Sequence, residues 1–158
     1  MKILEGVVEV RSVKDFLNNF KDCVPVFLDA NYVVDRGHVE FALKKALKAW
    51  REGRRVAKTL SMEILLYCAG RRQISDAVEV GLKEGRNEVV VVLEEECLEK
   101  LRRLGFEERP VLKLDDAKIE RIKKFFDISD EELRIAGVEK LSLLVRERIA
   151  LFDVFKSS

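Results

Sequence analysis

Histidine is almost absent from this chain, which carries a single one, His38, among its 158 residues. A metal site built from several histidines is therefore excluded, as is a catalytic pair of histidines. The sequence also lacks CxxC, GxSxG and GxxxxGK[ST] motifs, so a zinc ribbon, a hydrolase nucleophile elbow and a phosphate-binding P-loop have no support. These absences predict a non-enzymatic binding protein with no catalytic residue, no metal and no cofactor, in which His38 has a capping or core role.

Cysteine and long apolar runs are scarce as well. The three cysteines, Cys23, Cys68 and Cys97, are an odd number at wide spacing, and no stretch has the length or apolar character of a membrane span or a signal peptide. The sequence therefore predicts a cytoplasmic protein with three reduced thiols and no membrane partner. An enzyme that uses Cys68 or Cys97 as nucleophile stays open as a third hypothesis.

What the chain does contain predicts one α/β domain of the α+β type over residues 1–158. With 47% hydrophobic and 37% charged residues, a chain of this length can bury a core. We expect a small mixed or antiparallel central sheet of about four strands, packed with about seven helices. The predicted strands are 3–10, 24–28, 88–93 and 106–114, and the valine run of the third predicts a central position. The main predicted helices are 12–19, 36–52, 63–68, 74–80, 94–104, 116–126, 130–136 and 138–155.

Residues 61–81 contain a cationic joint between two helices. Thr59 or Ser61 can cap the first helix, which is apolar almost all round, and Gly70 can end it in a left-handed conformation. Arg71, Arg72 and Gln73 follow, just before a second short helix. Fixed donors near a helix N-terminus suit an anionic ligand. The alternative is a corner whose arginines are merely solvated.

Positive charge is concentrated in the segment from Arg36 to Gln73. It has ten basic and three acidic residues and a net charge of +7, whereas the whole chain has +1. On helix 36–52 the basic side chains project from the face opposite the apolar one. This asymmetry predicts a polyanionic partner for one face of the protein, or else a solvated helix surface.

The last helix is apolar on two sides. One stripe is predicted to face the core, and it comprises Leu141, Leu144, Val145, Phe152 and Phe155. Leu143, Ala150 and Val154 lie on roughly the opposite side, with Leu151 between the two. The second side is buried either by a partner protein or by other layers of the same domain.

The segment from Glu63 to Ala77 reads Glu-Ile-Leu-Leu-Tyr-Cys-Ala-Gly-Arg-Arg-Gln-Ile-Ser-Asp-Ala. It resembles the signature of the Cgi-type subunit of the KEOPS (EKC) complex, whose archaeal members are related to the human PRPK-binding protein (TPRKB-like proteins). Two further stretches are similar in order and spacing: Asp29 to Ala42, with its Asp-Ala, Val-Val, His and Ala, and Val145 to Val154. One departure is Ala69, where relatives often have serine, so this chain has no hydroxyl at that position.

The resemblance implies a non-catalytic regulatory subunit of KEOPS, the assembly that installs threonylcarbamoyl on adenosine 37 of tRNA. It implies binding of the Bud-type small kinase/ATPase, of the 3′ CCA end of tRNA, and indirect contact with the Kae-type transferase. Carried over by position, Arg72, Gln73 and Ile74 grip the 3′ tail, with Lys58 and Arg71 nearby. The backbone of the acceptor stem is expected to lie along Lys44, Lys48, Arg51, Arg54 and Arg55. The kinase is expected to dock on Leu143, Ala150, Leu151 and Val154. The alternative is a protein-only regulator of the kinase.

Overall fold

The valines from Val89 to Val92 lie in the middle of a four-stranded antiparallel sheet. Their strand, β3 (Gly85–Leu93), pairs with β1 (Lys2–Val10) on one side and with β2 (Val26–Asp29) on the other. Val89 to Leu93 are at most 2% exposed, because both faces of the sheet are covered. The sequence therefore predicted both the existence and the central position of this strand correctly.

The computed structural model describes residues 1–71 and 74–156, except for the side chains of Ile74 and Val78. The sheet order is β2-β3-β1-β4, where β4 is only Glu107–Glu108. The helices are α1 (Val13–Leu17), α2 (Arg36–Arg51), α3 (Leu60–Ala69), α4 (Ile74–Ala77), α5 (Leu98–Arg103), α6 (Asp116–Phe126), α7 (Asp130–Ala136) and α8 (Leu141–Phe155). Short 3-10 turns are Ala30–Tyr32, Val78–Val80, Glu95–Cys97 and Val138–Lys140. The predicted α+β class is confirmed. Within the described residues, every helix is too short or too polar to cross a membrane.

The two faces of the sheet are covered unequally, because successive side chains of a strand point to opposite faces. Val90 and Val92 belong to the larger of two hydrophobic core clusters, which also contains buried residues of α2, α3, α6, α7 and α8. Val89, Val91 and Leu93 belong to the smaller core cluster, together with Phe16 of α1 and Leu101 of α5. The predicted site residues on α2 and α8 therefore belong to the helical layer over one face of the sheet.

The predicted strand 106–114 is the weakest part of the sequence-based fold. Only Glu107 and Glu108 form ladder pairs, with Val7 and Gly6 of β1. Pro110 has no backbone N–H to donate, and the chain carries no strand or helix from there until Asp115 caps α6. β4 is consequently a two-residue edge.

Two of the three cysteines form a disulfide, so the prediction of three reduced thiols was wrong for Cys23 and Cys97. Their Cα atoms are 6.0 Å apart. Cys23 precedes β2 and Cys97 follows β3, and the antiparallel register that places Val26 opposite Val92 brings these two strand ends together. Cys68 is buried and unpaired. The sequence spacing of 74 residues gave no sign of this pairing.

His38 is a core histidine, as the sequence suggested. Its ring is fully buried at the start of α2, where Nδ1 accepts the Val34 N–H at 3.2 Å. Nε2 lies 2.9 Å from the Cys68 carbonyl oxygen, so the network assigns its proton to Nε2. Burial lowers the pKa of His38 from 6.5 to about 4.

This buried ring predicts an acid-sensitive fold. In the unfolded chain His38 is protonated below about pH 6.5, whereas in the folded chain it stays neutral until the pH falls to about 4. Stability present above pH 6.5 is therefore lost as the pH falls to about 4, by about 3 kcal/mol for a shift of this size. Urea denaturation of the unaltered protein and of His38→Gln across this range isolates the contribution. Parallel pH profiles of the two proteins would contradict it.

Candidate functional site

The cationic joint begins where α3 ends. Thr59 caps the start of α3 by accepting the Met62 N–H, and Gly70 ends the helix with φ of 62°, a left-handed conformation that glycine adopts without strain. Arg71 follows immediately. Its guanidinium donates from Nη2 to the Phe125 carbonyl of α6 and stacks over the Phe125 ring at 4.4 Å from the centroid. Arg71 is therefore half-buried and held in one orientation.

The rest of the predicted motif is only partly covered by the structure. Arg72 and Gln73 lie outside the described residues. Ile74 begins α4, but its side chain is not among those described. Their assigned roles at the 3′ tail stay predictions from the sequence.

A cleft of about 540 Å³ lies beside Arg71. Its other lining residues come from α4, from α6 and from the turns Ala30–Tyr32 and Val78–Val80. They are Tyr32, Ser75, Asp76, Glu79, Arg121, Lys124 and Phe125. Tyr32 meets the Phe125 ring edge-on, with centroids 5.2 Å apart, and burial together with Glu79 raises the pKa of its phenol. The cleft thus combines aromatic rings, cations for phosphates and carboxylates that can accept hydrogen bonds from exocyclic amines.

A second cleft, of about 380 Å³, lies between the joint and the end of α8. Aromatic and aliphatic side chains dominate it. The lining residues are Ala69, Gly70, Arg71, Phe125, Phe126, Asp127, Arg148, Leu151, Phe152, Phe155 and Lys156. Arg71 therefore stands between a charged cleft and a largely apolar one.

Three basic residues form a ridge along the second half of α2, the half that leads to the start of α3. Lys44, Lys48 and Arg51 are exposed and follow each other at helical spacing. The loop 52–59 continues from them to the start of α3 and carries Lys58. Because α3 has ten residues, it separates Lys58 from Arg71 by about 15 Å. Lys58 therefore lies before α3 and Arg71 after it, and the role assigned to Lys58 beside the joint stays a prediction.

Two arginines of the loop already contact other side chains of the protein. Arg54 contacts Glu52 at 2.9 Å and Asp153 of α8 at 3.4 Å, so it links the loop to α8. The Arg55 guanidinium stacks over the Trp50 ring at 4.4 Å from the centroid. Both keep exposed surface, but their side chains are held rather than extended into solvent.

The outer side of α8 is the apolar surface that the sequence predicted. Leu143, Leu151 and Val154 are 46–69% exposed, and Ala150 is half-buried. Phe155, predicted to face the core, is 60% exposed and joins this side instead. The inner side of the last turn is occupied by Lys156, which meets polar groups of α3 there.

A buried polar network under this turn was missed by the sequence analysis. Glu63 and Lys156 form an ion pair with Oε2 and Nζ 3.1 Å apart, and each side chain is 1% exposed. Lys156 also donates to the Tyr67 hydroxyl, which in turn donates to Asp153. The only signal in the sequence was one glutamate in a helix that is otherwise apolar, because glutamate is almost never buried without a partner.

The cysteines do not support a thiol nucleophile. Burial raises the pKa of the Cys68 thiol to about 12, so the thiolate is scarce at neutral pH. Cys97 is in the disulfide. Neither residue therefore supports the third hypothesis.

Comparison with known proteins agrees with the resemblance. The family model described as "Kinase binding protein CGI-121" matches residues 5–153. The "Regulatory protein Cgi121" of Methanocaldococcus jannaschii is 30% identical over 132 residues, which cover 82% of this chain and 83% of that protein. The "KEOPS complex subunit Cgi121" of Pyrococcus abyssi is 35% identical over 88 residues, and this match spans only about half of either chain, 52% of each. The chain belongs to the CGI-121 family of kinase binding proteins.

Proposed function

We propose that this protein is a non-catalytic regulatory subunit of a KEOPS complex, which binds a Bud-type kinase/ATPase and the 3′ CCA end of tRNA. It would thereby support threonylcarbamoylation of adenosine 37 by the Kae-type transferase. The observation that carries the proposal is the family match over residues 5–153. The names of the two relatives support the KEOPS and regulatory parts of it.

The charged cleft beside Arg71 supports binding of the single-stranded tail. Single-stranded RNA is recognised by stacking of unstacked bases on aromatic or guanidinium planes and by hydrogen bonds to base edges. Arg71 is fixed over Phe125, and Arg121 and Lys124 offer cations at the same cleft. Asp76 and Glu79 can accept from the exocyclic amines of cytosine and adenine, the two bases of a CCA end.

The ridge supports contact with the acceptor stem. Lys44, Lys48 and Arg51 are exposed on one face of α2, at spacings that follow a phosphate backbone without reading sequence. The ridge leads to the start of α3, whereas Arg71 follows the end of that helix, so the stem and the tail would contact separate places on the protein.

The outer side of α8 supports the kinase interface. Leu143, Leu151 and Val154, together with Phe155, expose apolar side chains on one helix, with Ala150 between them. Such a surface fits a protein partner better than water. It also favours the second candidate, a regulator that binds the kinase alone and has no specific affinity for tRNA.

Binding of tRNA at low and moderate salt, with intact transcripts and with transcripts lacking CCA, separates the two candidates. We expect trimming to weaken binding, because the contacts between the CCA tail and the cleft beside Arg71 are then lost. Lys124→Glu should weaken binding of intact tRNA by roughly tenfold, since charge reversal at a phosphate contact costs on the order of 1–2 kcal/mol.

Lys14→Glu is the matched control, because Lys14 is also exposed but lies on α1, over the opposite face of the sheet. It should leave tRNA binding nearly unchanged. Equal affinity for intact and trimmed tRNA would refute the tail site and favour the protein-only regulator.

A further inference from the structure

The loop that carries Arg55 and Lys58 is hydrogen-bonded to a buried carboxylate of α3. Oε1 of Glu63 accepts the backbone N–H of Val56 at 3.0 Å and that of Ala57 at 2.8 Å. Its other oxygen pairs with Lys156. A buried charge is tolerated only where donors and a countercharge satisfy it. The carboxylate therefore ties the loop and the last turn of α8 to α3 at a single point.

The same network holds the beginning of the loop. Lys156 Nζ is 4.0 Å from Asp153 Oδ1, which lies 3.4 Å from Arg54 Nη1. Lys156 also lies over the ring of Tyr67, 4.4 Å from its centroid. Arg54 is thus fixed through Asp153, while Val56 and Ala57 are fixed through Glu63.

Burial of the loop's own side chains does not account for these contacts. Val56 is 39% exposed, and of residues 52–59 only Ala57 is buried. The loop carries three basic residues, Arg54, Arg55 and Lys58, against one acidic residue, so its net charge is positive. A loop ordered before binding pays less conformational entropy when it meets a ligand.

We propose that Glu63 and Lys156 are positioning residues for RNA: they hold the 52–59 loop so that its basic side chains meet the phosphate backbone. This rests on the proposed tRNA binding and goes beyond it, because it assigns the inner side of the C-terminal helix to the RNA interface. The outer side of the same turn carries Val154 and Phe155 of the proposed kinase surface.

Two matched double variants test the proposal, and neither leaves a lone buried charge. Glu63→Met with Lys156→Met removes the acceptor for Val56 and Ala57, whereas Glu63→Gln with Lys156→Met keeps a carbonyl acceptor. We expect the Met version to bind intact tRNA about tenfold more weakly, with a salt dependence of log K shallower by about two, since contacts of Arg55 and Lys58 are lost. The Gln version should restore affinity to within about twofold of the unaltered protein.

Both variants should keep the response to CCA trimming, because Arg71 lies at the other end of α3. Amide hydrogen exchange should be faster at Val56 and Ala57 in the Met version alone. If that version unfolds, Glu63→Asp, which withdraws the carboxylate by one methylene, should show the same loss of affinity and salt slope.

Equal affinity and equal salt slope in the Met and Gln versions would overturn the positioning role while leaving tRNA binding intact. Failure of the unaltered protein to bind tRNA would overturn the proposed function and this inference with it.

Discussion

Lys156→Met is expected to lower the free energy of unfolding by about 3–5 kcal/mol, because it leaves the Glu63 carboxylate buried without its countercharge. Both side chains are 1% exposed, so water cannot replace the lost ammonium without opening the packing between α3 and α8. The Tyr67 hydroxyl loses a donor at the same time. The midpoint of urea denaturation, followed by circular dichroism, measures the change.

Lys14→Met serves as the control, since an exposed lysine of α1 should change stability by no more than about 0.5 kcal/mol. Adding Glu63→Gln to Lys156→Met should recover most of the loss, because the remaining buried group is neutral. A Lys156→Met protein as stable as the unaltered one would show that the carboxylate finds another partner.

Breaking the Cys23–Cys97 disulfide is expected to cost about 4 kcal/mol, the entropy that a cross-link across 74 residues removes from the unfolded chain. The double substitution Cys23→Ser and Cys97→Ala should lower the denaturation midpoint accordingly. A reductant should lower the midpoint of the unaltered protein to the same value and leave the double variant unaffected.

Cys68→Ala provides the contrast. Cys68 is buried and outside the disulfide, so this variant should keep its full sensitivity to reductant. Three titratable thiols in the unfolded, non-reduced protein, with no effect of reductant on stability, would contradict the bond.

The features that the sequence predicted well have local causes. Thr59 and Gly70 define α3 from within a dozen residues, and Ser129 with Glu132 forms the reciprocal capping box that starts α7. The valine run of β3 indicated a central strand because consecutive apolar residues in a strand are buried on both faces of a sheet. Each of these signals acts through neighbours along the chain, which a single sequence displays directly.

The features that it missed depend on residues far apart in the chain. Lys156 meets Glu63 across 93 positions, and Cys23 meets Cys97 across 74. The candidate site shows the same division: Arg71 was predicted from its own motif, whereas Tyr32 and Lys124 come to its cleft from distant elements. Helical periodicity also placed Phe155 in the core, because it carries no information about where the core ends.

The strand order has a consequence for synthesis of the chain. Lys2 pairs with Leu93 and Val10 with Gly85, so β1 cannot pair with β3 until β3 has left the ribosome. β2 pairs with the same late strand. Such distant pairing slows folding and leaves early strands exposed meanwhile. Lys2, Glu5 and Glu9 interrupt the valines and leucine of β1, and charges in these positions discourage two nascent chains from pairing through it. The charges on β1 thus protect a strand that is made first and has no partner in the sheet until β3 has been made.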